Sequence, residues 1–317
     1  MNKNKPRLTV IKLAPVQVER IWGGTWLREQ FGYVTKSETI GETWVISAHP
    51  SGNCKVLNSI YKGMSLSDLY DIRRDLFAND PSEKFPLLVK FIDAKEDLSV
   101  QVHPNDDYAR RHENQNGKSE AWLILDCKPK TDILIGHQAQ TREQLRAMIY
   151  GGRWEELLTY RPLQKGEIIN IPSGTLHAIC AGTSLIEIQQ SSDITYRVFD
   201  YDRLDAKGHK RELHLEKSID VIDVPHVQAP IRLMPKRQLS NRVKDLLVTP
   251  HFKIQSLAVK SSLVLNNKKH EYLLVAVLSG SGKIGSLKAE KGESFIVTSQ
   301  VENLKIQGKL KLIIASK

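Results

Sequence analysis

The stretch from Gly166 to His177 constrains the structure of this chain more than any other part of its 317 residues. A glycine opens a turn, a short apolar run follows, and a Pro-Ser-Gly turn comes directly before Thr175. Apolar runs of this length, bounded by glycine and proline, are typical of buried strands. The spacing Gly166-x5-Pro172-x-Gly174-x2-His177 therefore predicts a short strand, a tight turn and a histidine held at a fixed distance beyond them.

Two strand-like runs upstream of this motif carry functional side chains at alternate positions. Side chains at every second residue of a strand point to the same face, so each set can project into one cavity. The first set is Ser99, Gln101 and His103, and the second set is Lys118, Glu120 and Trp122.

Together with His177, these runs predict a metal site with mixed nitrogen and oxygen ligands. The predicted ligands are Gln101, His103, Glu120 and His177. Zinc accepts histidine nitrogen and carboxylate oxygen, and catalytic zinc sites keep one position open for water or substrate. The set lacks the cysteines that are usual in closed structural zinc sites, so it indicates catalysis. The ligand types alone leave iron, manganese, cobalt and nickel open.

Charged and hydroxyl side chains near the predicted ligands suggest an anionic substrate. A cation at Lys118 and a hydroxyl at Ser99 suit a phosphate, although a salt bridge and a backbone-bonded turn are the alternatives for these two residues. Arg197 stays charged at any working pH and can stabilise an enediolate or a phosphate. Its alternative is a structural ion pair with Asp200 or Glu187. The other histidines are interpreted as surface or packing residues: His49, His112, His137, His209, His214, His226, His251 and His270.

Other local patterns predict helices, strands and a linker. Helical spacing behind a serine start predicts a helix over 65–77, and a capping box predicts another from Thr141 that a Gly-Gly pair interrupts before 158. The compact apolar run 85–93 predicts a buried strand. The segment 225–241, with three prolines and no periodicity, indicates a linker or a surface arm. Strand-like alternation continues from about residue 248 to the end.

A faint internal repeat suggests two related β-barrel domains. The segment 165–171 resembles 291–297, and 120–125 resembles 271–276, in the same order along the chain. In the second copy the position of His177 is taken by Asn303, so we expect that copy to lack the metal. We predict a metal-binding catalytic domain over 1–228, with short helical insertions, and a basic β domain over 229–317.

The basic charge is concentrated in the C-terminal part of the chain. Residues 1–230 carry 30 Lys+Arg against 31 Asp+Glu, whereas residues 231–317 carry 16 against 5. A nucleic-acid patch is one interpretation, but the lysines are scattered and lack aromatic interleaving, so we expect a solvated face and no nucleic-acid partner. Three isolated cysteines, no apolar run of about 20 residues and no signal-peptide pattern predict a cytoplasmic protein without a membrane partner.

Several motifs carry a resemblance to a known family. The segments 99–104, 117–122, 171–178 and 191–197 resemble type I mannose-6-phosphate isomerases of the cupin superfamily, and Ile21-Trp-Gly-Gly24 fits the shorter bacterial members. The spacing that ends at His177 matches the second cupin motif without its usual asparagine. In the first motif the glutamate stands 17 residues after His103 instead of three or four, a departure that is itself characteristic of this family.

The resemblance implies a fold, a reaction and a set of site residues. The fold is mainly β: a double-stranded β-helix (cupin) barrel carrying the metal, a few helices, and a second, degenerate cupin-like β domain at the C-terminus. The reaction is the interconversion of mannose 6-phosphate and fructose 6-phosphate through an enediol or enediolate, in a monomer or weak homodimer. The implied residues are zinc ligands Gln101, His103, Glu120 and His177, one zinc per chain; catalytic Arg197 and Glu187; and substrate-contacting Ser99, Lys118 and Lys90.

Two other functions remain open at this level. One is a metal cupin of another reaction type, such as an oxygenase or an epimerase. The other is a non-catalytic protein that binds a sugar phosphate. The identity of the general base is also open among Glu187, a zinc-bound hydroxide and another pocket group.

Overall fold

A computed structural model describes residues 7–35, 37–204, 208–234 and 240–317 of the chain. The strands are β1 (Val10–Ala14), β2 (Val16–Gly24), β3 (Ile40–Ile46), β4 (Ala48–His49), β5 (Gly52–Asn53), β6 (Lys55–Val56), β7 (Leu87–Ala94), β8 (Val100–Val102), β9 (Glu120–Cys127), β10 (Asp132–His137), β11 (Leu158–Pro162), β12 (Glu167–Ile171), β13 (His177–Ala178), β14 (Thr183–Gln190), β15 (Tyr196–Phe199), β16 (Ile231–Leu233), β17 (Val243–Val248), β18 (Lys253–Val259), β19 (Ser262–Asn266), β20 (Leu273–Ile284), β21 (Leu287–Glu290), β22 (Ser294–Val297) and β23 (Asn303–Ser316). The helices are α1 (Trp26–Phe31), α2 (Leu66–Ile72), α3 (Asp106–Glu113), α4 (Arg142–Tyr150), α5 (Trp154–Leu157) and α6 (Leu215–Val221), with a 3₁₀ helix at Arg74–Phe77.

Both predicted helices are present, the first as the shorter α2 followed by the 3₁₀ helix Arg74–Phe77, and local capping explains where each begins. The Ser65 hydroxyl accepts from the backbone nitrogen of Asp68 at 3.2 Å at the start of α2. The Thr141 hydroxyl accepts from Gln144 at 3.1 Å at the start of α4. Each side chain satisfies an amide that has no partner within its own helix. The structure adds α1, α3 and α6, which the sequence patterns did not indicate.

The described residues divide into two compact units, called here the first and the second unit. The first unit contains the described parts of Met1–Gln17, Thr43–Lys90 and Pro235–Lys317, and the second contains those of Val18–Glu42 and Phe91–Met234. This division does not follow the expected boundary at 228, because β1 pairs with β22 and so joins the N-terminal strand to the C-terminal part of the chain. The assignment of separate domains to 1–228 and 229–317 stays a prediction.

The main sheet of the first unit is antiparallel and has the strand order β17-β18-β23-β20-β22-β1-β6. Strand β19 pairs with β23, and β21 pairs with β20. Alternate residues of these strands are apolar and buried, and they form a core that includes Val10, Leu257, Val275, Phe295 and Leu312. Period-two burial of this kind stabilises a sheet through the apolar area that it removes from water.

The second unit contains two sheets. The five-stranded sheet has the order β11-β10-β13-β8-β15. The other has the order β16-β12-β9-β14-β7-β2-β3, and of its last three strands this unit holds 91–94, 18–24 and 40–42. One buried core joins residues of both sheets, among them Ile135 of β10, Trp122 of β9 and Ile169 of β12. The mainly β fold is therefore confirmed.

Equivalent strands of the sequence repeat pair with each other in both copies. In the second unit β12 pairs antiparallel with β9, with Ile169 opposite Trp122. In the first unit β22 pairs antiparallel with β20, with Phe295 opposite Val275. The shared pairing supports the interpretation of the two short sequence matches as a repeat.

The segment expected to be a linker contains one short strand. Residues 231–233 form β16, which pairs with β12 from Glu167↔Leu233 to Ile169↔Ile231. Part of the expected linker, 235–239 with Pro235, lies outside the described residues. Among the described helices, none is long and apolar enough to cross a membrane.

Candidate metal centre

Three neighbouring strands bring the predicted site residues of one sheet together. Gln101 on β8 lies directly opposite His177 on β13 and, on its other side, opposite Arg197 on β15. Residues directly opposite each other in an antiparallel pair point to the same face. His103 comes two residues after Gln101, just beyond the end of β8, and keeps the same parity.

The facing sheet of the second unit contributes a second set of polar side chains. On β9 and β14, Glu120 is opposite Gln189 and Trp122 is opposite Glu187. All four of these side chains are buried. Polar groups are costly to bury unless they are paired or bound to an ion, so their concentration on one face marks a site.

His103, Glu120 and His177 form a group that could hold a metal ion. One ligand atom from each lies within 4.8 Å of the others, and all three residues are buried. The distance from His103 Nε2 to Glu120 Oε2 is 3.4 Å, and that from His177 Nε2 to Glu120 Oε1 is 3.3 Å. Both imidazoles thus present one nitrogen to the same carboxylate.

The other nitrogen of each ring fixes the tautomer. Nδ1 of His103 is 2.8 Å from the carbonyl oxygen of Ile194, and Nδ1 of His177 is 2.9 Å from that of Thr175. A carbonyl oxygen only accepts, so the proton of each neutral ring lies on Nδ1 and the lone pair of Nε2 faces Glu120. Among the described residues, Nε2 of His177 has no hydrogen-bond partner. Two lone pairs and a carboxylate facing one another favour a cation between them, so these residues fit a metal ion.

Burial keeps both rings neutral and ready to bind a cation. Desolvation, with the nearby Lys118 ammonium, lowers the pKa of His103 to about 3. Desolvation also lowers the pKa of His177. Burial alone would raise the pKa of Glu120, but Lys118 holds it well below its usual value. At neutral pH the site therefore offers two neutral imidazoles and one carboxylate.

The ammonium of Lys118 lies against two of the three donor groups. Its Nζ is 3.0 Å from Glu120 Oε2 and 3.0 Å from His103 Nε2. The salt bridge that was considered for Lys118 is therefore present, and its contact with a substrate stays a prediction. The position of the ammonium also shows that the donor set attracts positive charge.

Arg197 lies opposite Gln101 on β15, and two hydrogen bonds hold its guanidinium. Its Nε donates to Ser99 Oγ at 3.3 Å, and its Nη1 donates to the carbonyl oxygen of Glu212 at 2.9 Å. Among the described residues it makes no ion pair within 4 Å, whereas Asp200 pairs with Arg203 and Arg211. The expected alternative of a structural pair with Asp200 or Glu187 is therefore not seen. Burial lowers the pKa of Arg197, but a guanidinium stays protonated at neutral pH.

The turn between β12 and β13 explains the Pro-x-Gly spacing of the motif. Gly174 has φ of 84°, and a Cβ there would lie 2.5 Å from Oδ2 of Asp223. Its nitrogen donates to the carbonyl oxygen of His103 at 2.9 Å. The turn that presents His177 is thus joined directly to the residue that carries the other imidazole.

Gln101 is half-buried and points to the face that carries His177, as its register requires. Lys90 is buried on β7 in the first unit, with its Nζ 6.0 Å from the centroid of the Trp44 ring. Their roles as ligand and as pocket residue stay predictions.

Two contacts around the site were not predicted from the sequence. Trp122 Nε1 donates to Glu187 Oε2 at 2.9 Å. His214, interpreted as a surface or packing residue, accepts the backbone amide of Arg197 at Nδ1. The alternation around Trp122 could have indicated the first contact. No sequence signal connects 214 to 197, because the pairing depends on how the chain returns along β15.

Comparisons with known proteins agree with the geometry. The model of the phosphomannose isomerase type I catalytic domain matches residues 10–123, and that of the mannose-6-phosphate isomerase cupin domain matches residues 243–317. The mannose-6-phosphate isomerase of Streptococcus mutans is 42% identical over 300 residues, 93% of this chain and 94% of that protein. Mannose-6-phosphate isomerase ManA of Bacillus subtilis is 42% identical over 313 residues, 95% of this chain and 96% of that protein.

A solved structure is equally similar. The crystal structure of the mannose 6-phosphate isomerase from Bacillus subtilis matches with a TM-score of 0.91 and 40% identity, covering 97% of this chain and 99% of that one. This match and the cupin-domain match confirm the predicted cupin fold. Identity of this extent over nearly the whole length shows that the chain belongs to the type I mannose-6-phosphate isomerase family.

Proposed function

We propose that this protein is a metal-dependent aldose-ketose isomerase that interconverts mannose 6-phosphate and fructose 6-phosphate. The observation that carries the proposal is the buried group of His103, Glu120 and His177, with its ligand atoms within 4.8 Å of one another. Relatives named mannose-6-phosphate isomerase, 42% identical over more than nine-tenths of the chain, support the choice of substrate.

Zinc is the proposed ion, one per chain. His103, Glu120 and His177 would hold it, and the amide oxygen of Gln101 would complete the protein ligands from the same face of β8. Two neutral imidazoles, one carboxylate and one neutral amide suit zinc and leave the ion with net positive charge. When bound, zinc supplies a Lewis acid that polarises the oxygens of the sugar.

Arg197 is proposed to stabilise negative charge that develops on the substrate. The reaction passes through an enediolate, whose charge a fixed guanidinium can offset without reorganisation. Ser99 and the carbonyl of Glu212 hold that guanidinium from two directions, at 3.3 and 2.9 Å. Arg197 contacts none of the three grouped donors by ion pair, so its charge is available to an anionic ligand.

Glu187 is proposed to carry the proton. The isomerisation removes a proton from C2 of the aldose and adds one to C1. At the same time O2 loses its hydroxyl hydrogen and O1 gains one. A carboxylate fixed beside both carbons can perform both transfers. The hydrogen bond from Trp122 fixes one oxygen of Glu187 and so orients the carboxylate.

Lys118, Ser99 and Lys90 are proposed to contact the substrate. Lys118 and Ser99 supply a cation and a hydroxyl, the kinds of group that bind a phosphate. A cytoplasmic location is part of the same proposal and fits three cysteines that form no disulfide.

Coupled turnover of mannose 6-phosphate to fructose 6-phosphate tests the proposal. We expect activity that a chelator removes and that zinc restores. A folded, zinc-loaded protein without turnover would contradict the proposal. Activity restored by iron and not by zinc would contradict the choice of metal alone.

A further inference from the structure

His214 is hydrogen-bonded to the backbone of Arg197 at the open edge of the five-stranded sheet. Strand β15 is the last strand of that sheet, with β8 on one side only. On the other side, the backbone nitrogen of Arg197 donates to Nδ1 of His214 at 3.2 Å. The backbone nitrogen of His214 donates in return to the carbonyl oxygen of Arg197 at 2.8 Å. One residue thus satisfies both backbone groups of Arg197 that an edge strand would leave to water.

The same short segment also holds the side chain of Arg197. Its Nη1 donates to the carbonyl oxygen of Glu212, two residues before His214. The carbonyl oxygen of His214 accepts from the backbone nitrogen and the hydroxyl of Ser218 at the start of α6. Ser218 and Ile219 are buried, so α6 fixes the segment to the rest of the second unit.

The geometry requires one protonation state of His214. A backbone N–H is a donor, so Nδ1 of His214 must carry a lone pair and the ring must be neutral. A protonated ring would place an N–H against the Arg197 N–H and a positive charge beside the guanidinium. We propose that His214 is a positioning residue for Arg197, and that protonation of its ring in acid releases Arg197 from its place in the site. The inference rests on the proposed function only for the role of Arg197 in turnover.

Charged groups of both signs surround His214 and have opposite effects on the protonation of its ring. Glu212 Oε2 is 3.9 Å from Nε2 of the ring and favours protonation, whereas the Arg197 guanidinium opposes it. Lys217 of α6 and Glu113 of α3 act in opposite senses and pair with each other at 2.7 Å. The Tyr196 ring centroid is 6.0 Å from that of His214.

Burial has a larger effect on the pKa of His214 than any of these charged groups. Desolvation is the largest influence and lowers the pKa of His214 from its usual value. The neutral ring therefore persists through the neutral range. Because this pKa is lowered, the ring is protonated, and its hydrogen bond to Arg197 is lost, only at a pH below the ordinary histidine value of about 6.5.

Two substitutions separate the acceptor from the ring. In His214→Asn the amide oxygen takes the place of Nδ1 as acceptor and does not titrate, whereas His214→Phe keeps the ring shape without an acceptor. His112→Phe, at an exposed position on α3, is the matched control. For each variant we would measure kcat and KM against pH, zinc content, and hydrogen exchange of the segment containing the Arg197 amide.

We expect His214→Phe to lower kcat by about tenfold or more, with little change in zinc content, because small displacements of a charged group weaken transition-state contacts. The Arg197 amide should exchange faster in this variant. His214→Asn should keep kcat within about threefold of wild type at pH 7.5 and lose the acid decline that His214 causes. Equal losses in both variants would overturn the inference, because an acceptor at position 214 would then not be enough to hold Arg197 in place.

The remaining outcomes are also decisive. Unchanged kcat and unchanged exchange in His214→Phe would overturn the inference, as would an unaltered acid decline in His214→Asn. If His214→Phe does not fold, the pH profile and the exchange of His214→Asn decide alone. If the wild-type protein has no isomerase activity, the proposed function fails, and amide exchange against pH still tests whether His214 holds Arg197.

Discussion

The indole nitrogen of Trp122 donates a 2.9 Å hydrogen bond to Oε2 of Glu187, its partner across β9 and β14. Both side chains are at most 2% exposed. Trp122 also packs against the imidazole of His177, with ring centroids 5.4 Å apart. One residue therefore orients the proposed proton carrier and supports a proposed metal ligand.

Replacing Trp122 with phenylalanine removes this donor while keeping an aromatic ring. Because a buried carboxylate loses a hydrogen bond, we expect the free energy of unfolding to fall by about 1–3 kcal/mol, measured by urea denaturation. We expect kcat to fall and zinc content to stay constant. Trp154→Phe, where the indole stacks on Phe199, is the control for loss of indole area. A Trp122→Phe enzyme with wild-type kcat would show that this hydrogen bond does not orient Glu187 for the reaction.

The turn that presents His177 should tolerate no side chain at Gly174. Alanine at Gly174 combines a left-handed φ of 84° with a Cβ 2.5 Å from Asp223 Oδ2. Gly32→Ala is the matched control, since φ there is 68° and nothing lies within 4 Å of the added Cβ. We expect Gly32→Ala to cost about 1 kcal/mol of stability and Gly174→Ala distinctly more, with reduced zinc content. Equal stability losses and full zinc content in both variants would contradict this account of the turn.

The metal-free protein should become less stable as the medium is acidified from neutral pH. The pKa of His103 is lowered to about 3, so the folded protein does not bind the proton that the unfolded chain binds below about 6.5. Stability contributed by the neutral ring is therefore complete above that value and is lost as the pH falls. For this group the free energy of unfolding should decrease by up to about 1.4 kcal/mol per pH unit.

Urea denaturation of metal-free protein between pH 7 and pH 4.5 checks the effect. We expect His103→Gln to show a shallower dependence on pH than the wild type. His209→Gln, at an exposed position, should keep the wild-type dependence. Identical slopes for wild type and His103→Gln would mean that His103 is not held neutral by burial.

Truncation of Arg197 should affect turnover far more than metal content. Arg197→Ala removes a guanidinium that bonds Ser99 and Glu212 but no ligand atom of the grouped donors. We expect kcat to fall on the order of 10²- to 10³-fold, as for the loss of a fixed charge-stabilising group. Arg146→Ala, which breaks an exposed pair with Glu216, should leave kcat unchanged. Parallel loss of activity and zinc would identify Arg197 as a structural residue.

Local patterns predicted much of the architecture. The Ser65 and Thr141 caps, the Gly-Gly interruption after α4 and the buried strand β7 each depend on neighbouring residues, and all are present. Helix α6 was not predicted. The residue at its N-cap, His214, gives no side-chain cap, because its ring is bonded to Arg197 instead.

For the site residues too, local patterns predicted some relationships and not others. Alternation along one strand predicted that Gln101 and His103 share a face, because side-chain direction has a period of two. It could not predict that Lys118 would pair with Glu120 at 3.0 Å rather than stand free. That contact depends on the path of the chain after α3, where Gly117 approaches the backbone of Asn105 closely.

The sequence by itself determined the residue types of the candidate centre, the spacing of the Pro-x-Gly turn and the mainly β class, because turns and alternation are local properties of the chain. Only the tertiary structure decided the register that sets Gln101 opposite both His177 and Arg197, the tautomers of the two imidazoles, and the contact between His214 and Arg197. These relationships join residues far apart in sequence. Their physical cause is the pairing of backbone amides and carbonyls between strands, and no single stretch of sequence encodes which strand becomes the partner of another.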